Sequence, residues 1–276
     1  MTCKKTPLYE EHKKNSGKIV EFAGYSLPIS YSSISQEHNA VREKVGVFDV
    51  SHMGEFIISG PDSFTFLQKV TTNDLRKLRF GQAQYSLMCN HNGGIIDDLI
   101  IYKKQNEYLL VVNASNREKN LKWLKKHQNS NVLIKDVSES IGLLALQGPK
   151  SRKLLNKIID IDIKKLSFYH FQHGSVKGIN AMISRTGYTG ELGYEIFVKS
   201  ENLVELWRSI LLEGKEFGII PVGLGCRDTL RMEMRYHLYG LDIDESINPI
   251  DAGLSWVIKF GKEYFIGKNE LINFQK

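Results

Sequence analysis

Cysteine is scarce in this chain of 276 residues, and the three present, Cys3, Cys89 and Cys226, are far apart and form no C-x-x-C pair. That argues against a disulfide framework or a zinc knuckle and points to a reducing compartment. No stretch approaches the roughly 18 consecutive apolar residues of a membrane-spanning helix. The N-terminal MTCKKTPLYEEHKK has neither the apolar core of a secretory signal nor an arginine-rich amphipathic presequence. The expected location is the cytoplasm, or the mitochondrial matrix if a presequence has been removed. The net charge of +6 comes from scattered lysines, without a basic run of the kind that marks a nucleic-acid tail. Either a solvated lysine-rich surface or a modest field steering the chain toward an acidic partner accounts for it. No fixed-period repeat and no low-complexity linker is present.

What is there is ordinary globular material. With 42% hydrophobic and 25% charged residues, a sizeable core can be buried, and the length suits two domains better than one. Helices are expected over 35–44, over 116–127, through Leu154, Leu155 and Ile158, over 201–212 and over 224–236. Another is expected with Pro61 in its first turn, carrying Phe64, Leu67 and Gln68 toward Val70. Strands are expected over 54–59, in two or three runs between Gln84 and Val112, along the apolar IGLLALQ from Ile141, and over 168–176, 181–184 and 194–198. The mixed order without strand-helix alternation reads as α+β with mostly antiparallel sheets.

Three segments place ionisable residues among glycines and apolar residues: NHNGGIIDDLIIY (90–102), RTGYTGELGYEIFV (185–198) and GLGCRDTLRMEMRYHLYGLDID (223–244). Asp97 and Asp98 are adjacent in a strand and so point to opposite faces, which excludes a catalytic pair on one face. For each, two readings stand. It either ends a strand by accepting local hydrogen bonds, or works at a site, because a desolvated acid is costly when unpaired. Glu195 follows enough glycines for a flat ligand to approach, and a salt bridge to a lysine explains it equally well. Arg227 sits in a first helical turn beside a glycine-rich entry, where its planar guanidinium can meet a ligand. Arg231 has an ordinary helical partner in Asp228. Asn113 closes a strand and reads as an N-cap, Met53 as plain core, and Glu191 as a loop charge.

Other constellations fail. Asp49, Ser51 and His52 are too close along the chain to converge as a triad. His170 and His173 fall on opposite faces of an expected strand, which argues against a metal site. Gly223-x-Gly225 lacks a third glycine, and Asn92-Gly93-Gly94 lacks the Lys-Ser/Thr of a phosphate loop.

Together with TPLYEEHKKNSGKIVEFAGYSLPISY (6–31) and VFDVSHMGEF (47–56), these segments resemble the aminomethyltransferase of the glycine cleavage system, the T-protein, from Thr6 to the last residues. The resemblance implies transfer of the methylene of an aminomethyl group from the lipoyl arm of H-protein to tetrahydrofolate, with release of ammonia. It implies Asp98 as the catalytic residue and Glu195, Arg227, Asn113 and Met53 as folate-binding, with Glu195 accepting the ring N–H and amino group of the pterin. No metal, nucleic acid or membrane is implied, and the chain is expected to be a monomer. Two interleaved domains are expected: 1–50 with 139–239 as the first, folate-binding one, and 51–138 with 240–276 as the second.

Fold relatives include folate-dependent demethylases of small methylated substrates, which remain an alternative. An iron–sulfur maturation role is disfavoured because RTGYTGELGYE stands where that group carries K-G-C-Y-x-G-Q-E. Full T-proteins continue beyond the match to FIGKNELINFQK with a β-rich third domain. A chain lacking that C-terminal β-barrel domain is therefore expected, and a non-catalytic folate-binding fragment is the other alternative.

Overall fold

The computed structural model describes residues 3–275. Contacts divide the chain into two compact units: the segment up to His52 with Ser138–Tyr236, and Met53–Val137 with the segment from His237 onward. The first unit opens with α1 (Tyr9–Lys14), β1 (Lys18–Phe22), β2 (Tyr25–Ser30), α2 (Ile34–Glu43) and β3 (Val45–Asp49). The second then takes β4 (Gly54–Ser59), α3 (Ser63–Val70), β5 (Gln82–Cys89), β6 (Ile95–Lys103), β7 (Glu107–Val112), α4 (Arg117–His127) and β8 (Leu133–Asp136). The chain returns to the first unit for β9 (Ile141–Gln147), α5 (Ser151–Ile158), β10 (Phe171–Val176), β11 (Ile179–Ser184), β12 (Gly193–Lys199), α6 (Leu203–Glu213), β13 (Ile219–Pro221) and α7 (Leu224–Glu233). It closes in the second with α8 (Lys268–Phe274).

The first unit holds a six-stranded sheet in the order β10-β11-β12-β9-β3-β13, antiparallel except where β13 runs parallel to β3. Its central strand β9 is the run IGLLALQ, continuous in apolar residues because both of its faces are covered. Leu144 and Leu146 join one core with Trp207 and Ile210 of α6, while Leu143 and Ala145 on the opposite face are also buried. β1 and β2 form a hairpin whose turn residues Ala23 and Gly24 both take positive φ, 52° and 79°. Paired positive φ values match the twist of a tight two-residue hairpin.

The second unit holds an antiparallel sheet in the order β5-β6-β7-β4-β8. Phe56 and Ile58 of β4, Leu110 and Val112 of β7, and Ile101 of β6 pack with Phe66, Leu67 and Val70 of α3 and Leu124 of α4. The alternation along β6 places Asp97, Leu99 and Ile101 on this buried face and leaves Asp98 and Ile100 half-buried on the other.

Three expectations shift. Pro61 lies before α3 rather than in its first turn, and Phe64 is exposed while Phe66 turns inward. The strand expected from Phe168 begins only at Phe171, because Tyr169 takes a φ of 58° and turns the chain. α7 stops at Glu233, since Arg235 adopts φ 57° and breaks the helical path.

Leu146 is fully buried in the central strand. Leu146→Ala is expected to remove about 2–5 kcal/mol of stability through lost burial and a residual cavity. Urea unfolding followed by circular dichroism reads this, and a loss below about 1 kcal/mol would contradict the packing described.

Candidate functional site

In the first unit, the glycine-rich segment between β11 and β12 is shaped by one side chain. Gln147, at the end of β9 and fully buried, donates to Thr186 O at 3.3 Å and accepts from Thr189 Oγ1 at 2.8 Å. Methyl groups at Gly187 or Gly193 would stand 2.2 or 2.3 Å from that amide, so these two positions admit only glycine while Gln147 stays in place. Arg42 of α2 ties down the same segment, donating to Thr189 O at 2.6 Å and pairing with Glu191 at 3.1 Å. Glu191, expected as a loop charge, is thus half of an ion pair.

The segment presents Tyr188 and leads into Glu195. Tyr188 stacks on Tyr236 with centroids 5.7 Å apart, and the Arg227 guanidinium lies 4.5 Å from the Tyr188 ring centroid. That is cation–π geometry. Glu195 is half-buried on β12, and its carboxylate accepts from the Thr186 hydroxyl. Burial pushes the Arg227 pKa down, while Tyr188 and the Glu195 charge push it up. An arginine remains charged through such shifts, so a cation lies over the Tyr188 ring in the unit that also carries Glu195.

Arg227 is placed by the entry to α7. Gly223 N–H donates to Glu37 Oε2 at 2.8 Å, while Tyr31 N and Ser32 N donate to Glu37 Oε1 at 2.6 and 2.8 Å. A methyl on Gly223 would meet Ile29 O at 2.4 Å, and one on Gly225 would meet Ile34 at 2.6 Å. The Gly-x-Gly fragment therefore serves close packing of α7 against β2 and α2. Arg231, as expected, pairs with Asp228 at 2.7 Å.

Asp49 and Ser51 show why no triad forms there. Asp49 accepts from Thr6 Oγ1 at 2.6 Å, from Ser51 N at 3.0 Å and from His12 Nε2 at 2.9 Å, and His12 in turn meets Tyr31 OH at 2.7 Å. His52 lies against the rings of Phe22 and Tyr25, and its Nδ1 is buried without a hydrogen-bond partner.

The second unit brings Asp98 and Asn113 together. Asp98 Oδ1 accepts from Asn113 Nδ2 at 2.7 Å and Oδ2 accepts from Tyr85 OH at 3.0 Å, while Tyr85 stacks on Trp256 at 5.7 Å. Burial raises the Asp98 pKa, against the lowering effect of Tyr85 and Asn113. Asn113 stands where a cap was expected, yet its side chain makes no capping bond. The amide is drawn instead to the two aspartates. Met53 lies half-buried at the bend before β4, and its thioether joins neither set of hydrogen bonds.

Sequence reasoning missed Tyr85, Tyr188, Gln147 and Glu37, and for Asp97 it left a strand end and a working site both open. One signal was available: Asn113, Asn116 and Asn120 recur at helical spacing, i, i+3 and i+7, into a lysine-rich helix. Among the described residues, no group of three or more His, Cys, Asp or Glu could hold a metal ion, and no helix is long and apolar enough to cross a membrane.

Residues 8–262 match the family described as the GCVT N-terminal domain. An aminomethyltransferase of Halothermothrix orenii is 48% identical over 274 residues, covering 99% of this chain and 77% of that protein. One of Caldanaerobacter subterraneus subsp. tengcongensis is 50% identical over 272 residues, covering 98% and 73%. The crystal structure of glycine cleavage system aminomethyltransferase T from Bartonella henselae superposes with a TM-score of 0.91 at 33% identity, covering 99% of this chain and 75% of that one. Antiparallel sheets within a mixed α/β chain are therefore the fold of this group.

Burial first, and the Arg227 charge second, push the His52 pKa from its ordinary 6.5 down to about 4. The folded value lies below the unfolded one, so the neutral ring stabilises the native state. That stability is fully present above pH 6.5 and is lost as pH falls toward 4. The expected slope from this group is about 1.4 kcal/mol per pH unit in that window. Urea midpoints measured across it should fall more steeply for the wild type than for His52→Leu, and parallel slopes would contradict the assignment.

Proposed function

The chain belongs to the family described as the GCVT N-terminal domain, and from that membership we propose that it is a tetrahydrofolate-dependent aminomethyltransferase of the glycine cleavage system. An aminomethyl group carried on the lipoyl sulfur of H-protein gives its methylene carbon to tetrahydrofolate. The C–S and C–N bonds of the donor break and two bonds from that carbon to folate nitrogens form. Ammonia, the dihydrolipoyl H-protein and 5,10-methylenetetrahydrofolate are the products. As the first bond breaks, the carbon becomes iminium-like, so an anionic group beside it stabilises the transition state and departing ammonia requires a proton.

The observation that carries the role of Asp98 is its setting. It is a half-buried carboxylate in an apolar strand whose oxygens are held by two neutral donors, Tyr85 and Asn113. Neutral donors orient the carboxylate without cancelling its charge, and burial raises its pKa toward the range useful for proton exchange. Glu195 is the carboxylate that accepts the paired N–H donors of the pterin, Arg227 supplies a cation, and Asn113 and Met53 are further folate contacts. On this reading the first unit is the folate-binding domain. The net charge of +6 favours approach of an acidic H-protein.

Calorimetric titration with tetrahydrofolate should show saturable binding that weakens about ten- to a hundred-fold in Glu195→Ala, the loss expected for a charged hydrogen-bond acceptor. Asp98→Asn should bind folate nearly as well as the wild type yet lose roughly 10²- to 10⁴-fold in kcat with aminomethyl-H-protein. Undiminished turnover in Asp98→Asn would sink its assignment, and undiminished binding in Glu195→Ala would sink that of Glu195.

A further inference from the structure

Beside Asp98 lies a second carboxylate that the reaction as described does not use. Asp97 is fully buried at the start of β6, on the sheet face opposite Asp98. Its Oδ1 accepts from Asn116 Nδ2 at 2.6 Å and Asn113 Nδ2 at 2.9 Å, and its Oδ2 accepts from Asn113 N at 3.1 Å and from Asn120 Nδ2. Two donors on each oxygen fill the acceptor capacity of an ionised carboxylate. Asp97 therefore has no position left for a ligand, and whatever it does is done through these partners.

Asn113 is the partner that leads outward. Its side-chain nitrogen carries two N–H groups, one directed at Asp97 Oδ1 and the other at Asp98 Oδ1 at 2.7 Å, with Asp98 O at 3.2 Å. Rotating that amide by half a turn would set its carbonyl oxygen against two carboxylates, which is repulsive and forfeits both bonds. We propose that Asp97 is a positioning residue for Asp98. Held by Asn116 and Asn120, it clamps the Asn113 amide so that the free N–H of that amide is aimed at Asp98 Oδ1. The clamp joins the end of β7 and the start of α4 to the strand that carries Asp98, and it turns a terminal asparagine with two rotatable bonds into a fixed donor. The proposal rests on the reading of Asp98 as the charge-handling carboxylate.

The test uses the full chain labelled with ¹⁵N-asparagine, with the Asn113 side-chain signals identified by their loss in Asn113→Ser. In the wild type both side-chain protons of Asn113 should exchange slowly with solvent. In Asp97→Asn the proton facing Asp98 should exchange about ten-fold faster or more, as a released amide does. A clamp that serves only to tie β6 to α4 would leave that proton unmoved, and unchanged exchange overturns the proposal. If Asp97→Asn fails to melt cooperatively, Asn116→Ala carries the same test, because the Asn116 side chain donates to Asp97, while its contact with Asn113 is a backbone N–H to Asn113 O at 3.0 Å that the substitution keeps. The kinetic counterpart is a fall in kcat of roughly ten- to a hundred-fold, larger than the accompanying loss of tetrahydrofolate affinity through Asn113. Faster exchange with undiminished kcat also overturns it. Retained turnover in Asp98→Asn would remove the assignment of Asp98 itself, while the exchange measurement would still decide whether Asp97 orients Asn113.

Discussion

A carboxylate withdrawn from water must have its oxygens answered by donors, or its desolvation outweighs what folding gains. Glu37, Asp49 and Asp97 are all buried, and much of the arrangement around the candidate residues follows from how each is answered. Glu37 accepts from backbone N–H groups just after β2 and from Gly223 N–H at the entry to α7, a residue 186 positions along the chain from Glu37. Asp49 gathers Thr6 and His12 from the N-terminal segment. Asp97 gathers three asparagines from the start of α4 and the turn before it. Each acid fixes one chain segment against another, and the orientation of Arg227 and of Asp98 depends on two of them.

Close backbone approach supplies the complementary constraint. Gln147 lies so near Gly187 and Gly193 that any side chain there would displace it, and through Thr186 and Thr189 it sets the path of the segment carrying Tyr188. Thr186 then meets Glu195. The glycines thus act through packing against one buried amide. The same logic applies at Gly223 and Gly225, where a motif with the look of a nucleotide fragment is a helix seated tightly on a neighbouring segment.

Local elements, and the ionisable residues out of place among apolar neighbours, were legible in the order of residues alone. Turn glycines, capping residues and the two- and 3.6-residue periods act within a few positions, so β4, α4 and α6 were legible to within two residues, while the stretch from Gln84 to Val112 was legible as two or three strands without their separate limits. The opposite facing of Asp97 and Asp98 followed from the strand period alone. Resemblance, not periodicity, singled out Asp98 over Asp97 and attached folate to Glu195, Arg227, Asn113 and Met53. Tertiary structure decided what answers each of those groups: Tyr85 and Asn113 for Asp98, Thr186 for Glu195, the Tyr188 ring for Arg227, and Glu37 for the turn that places it. Sheet order and chain return bring these partners together across as many as 186 positions, and no local pattern encodes a hydrogen bond whose two ends meet only after the sheets have formed.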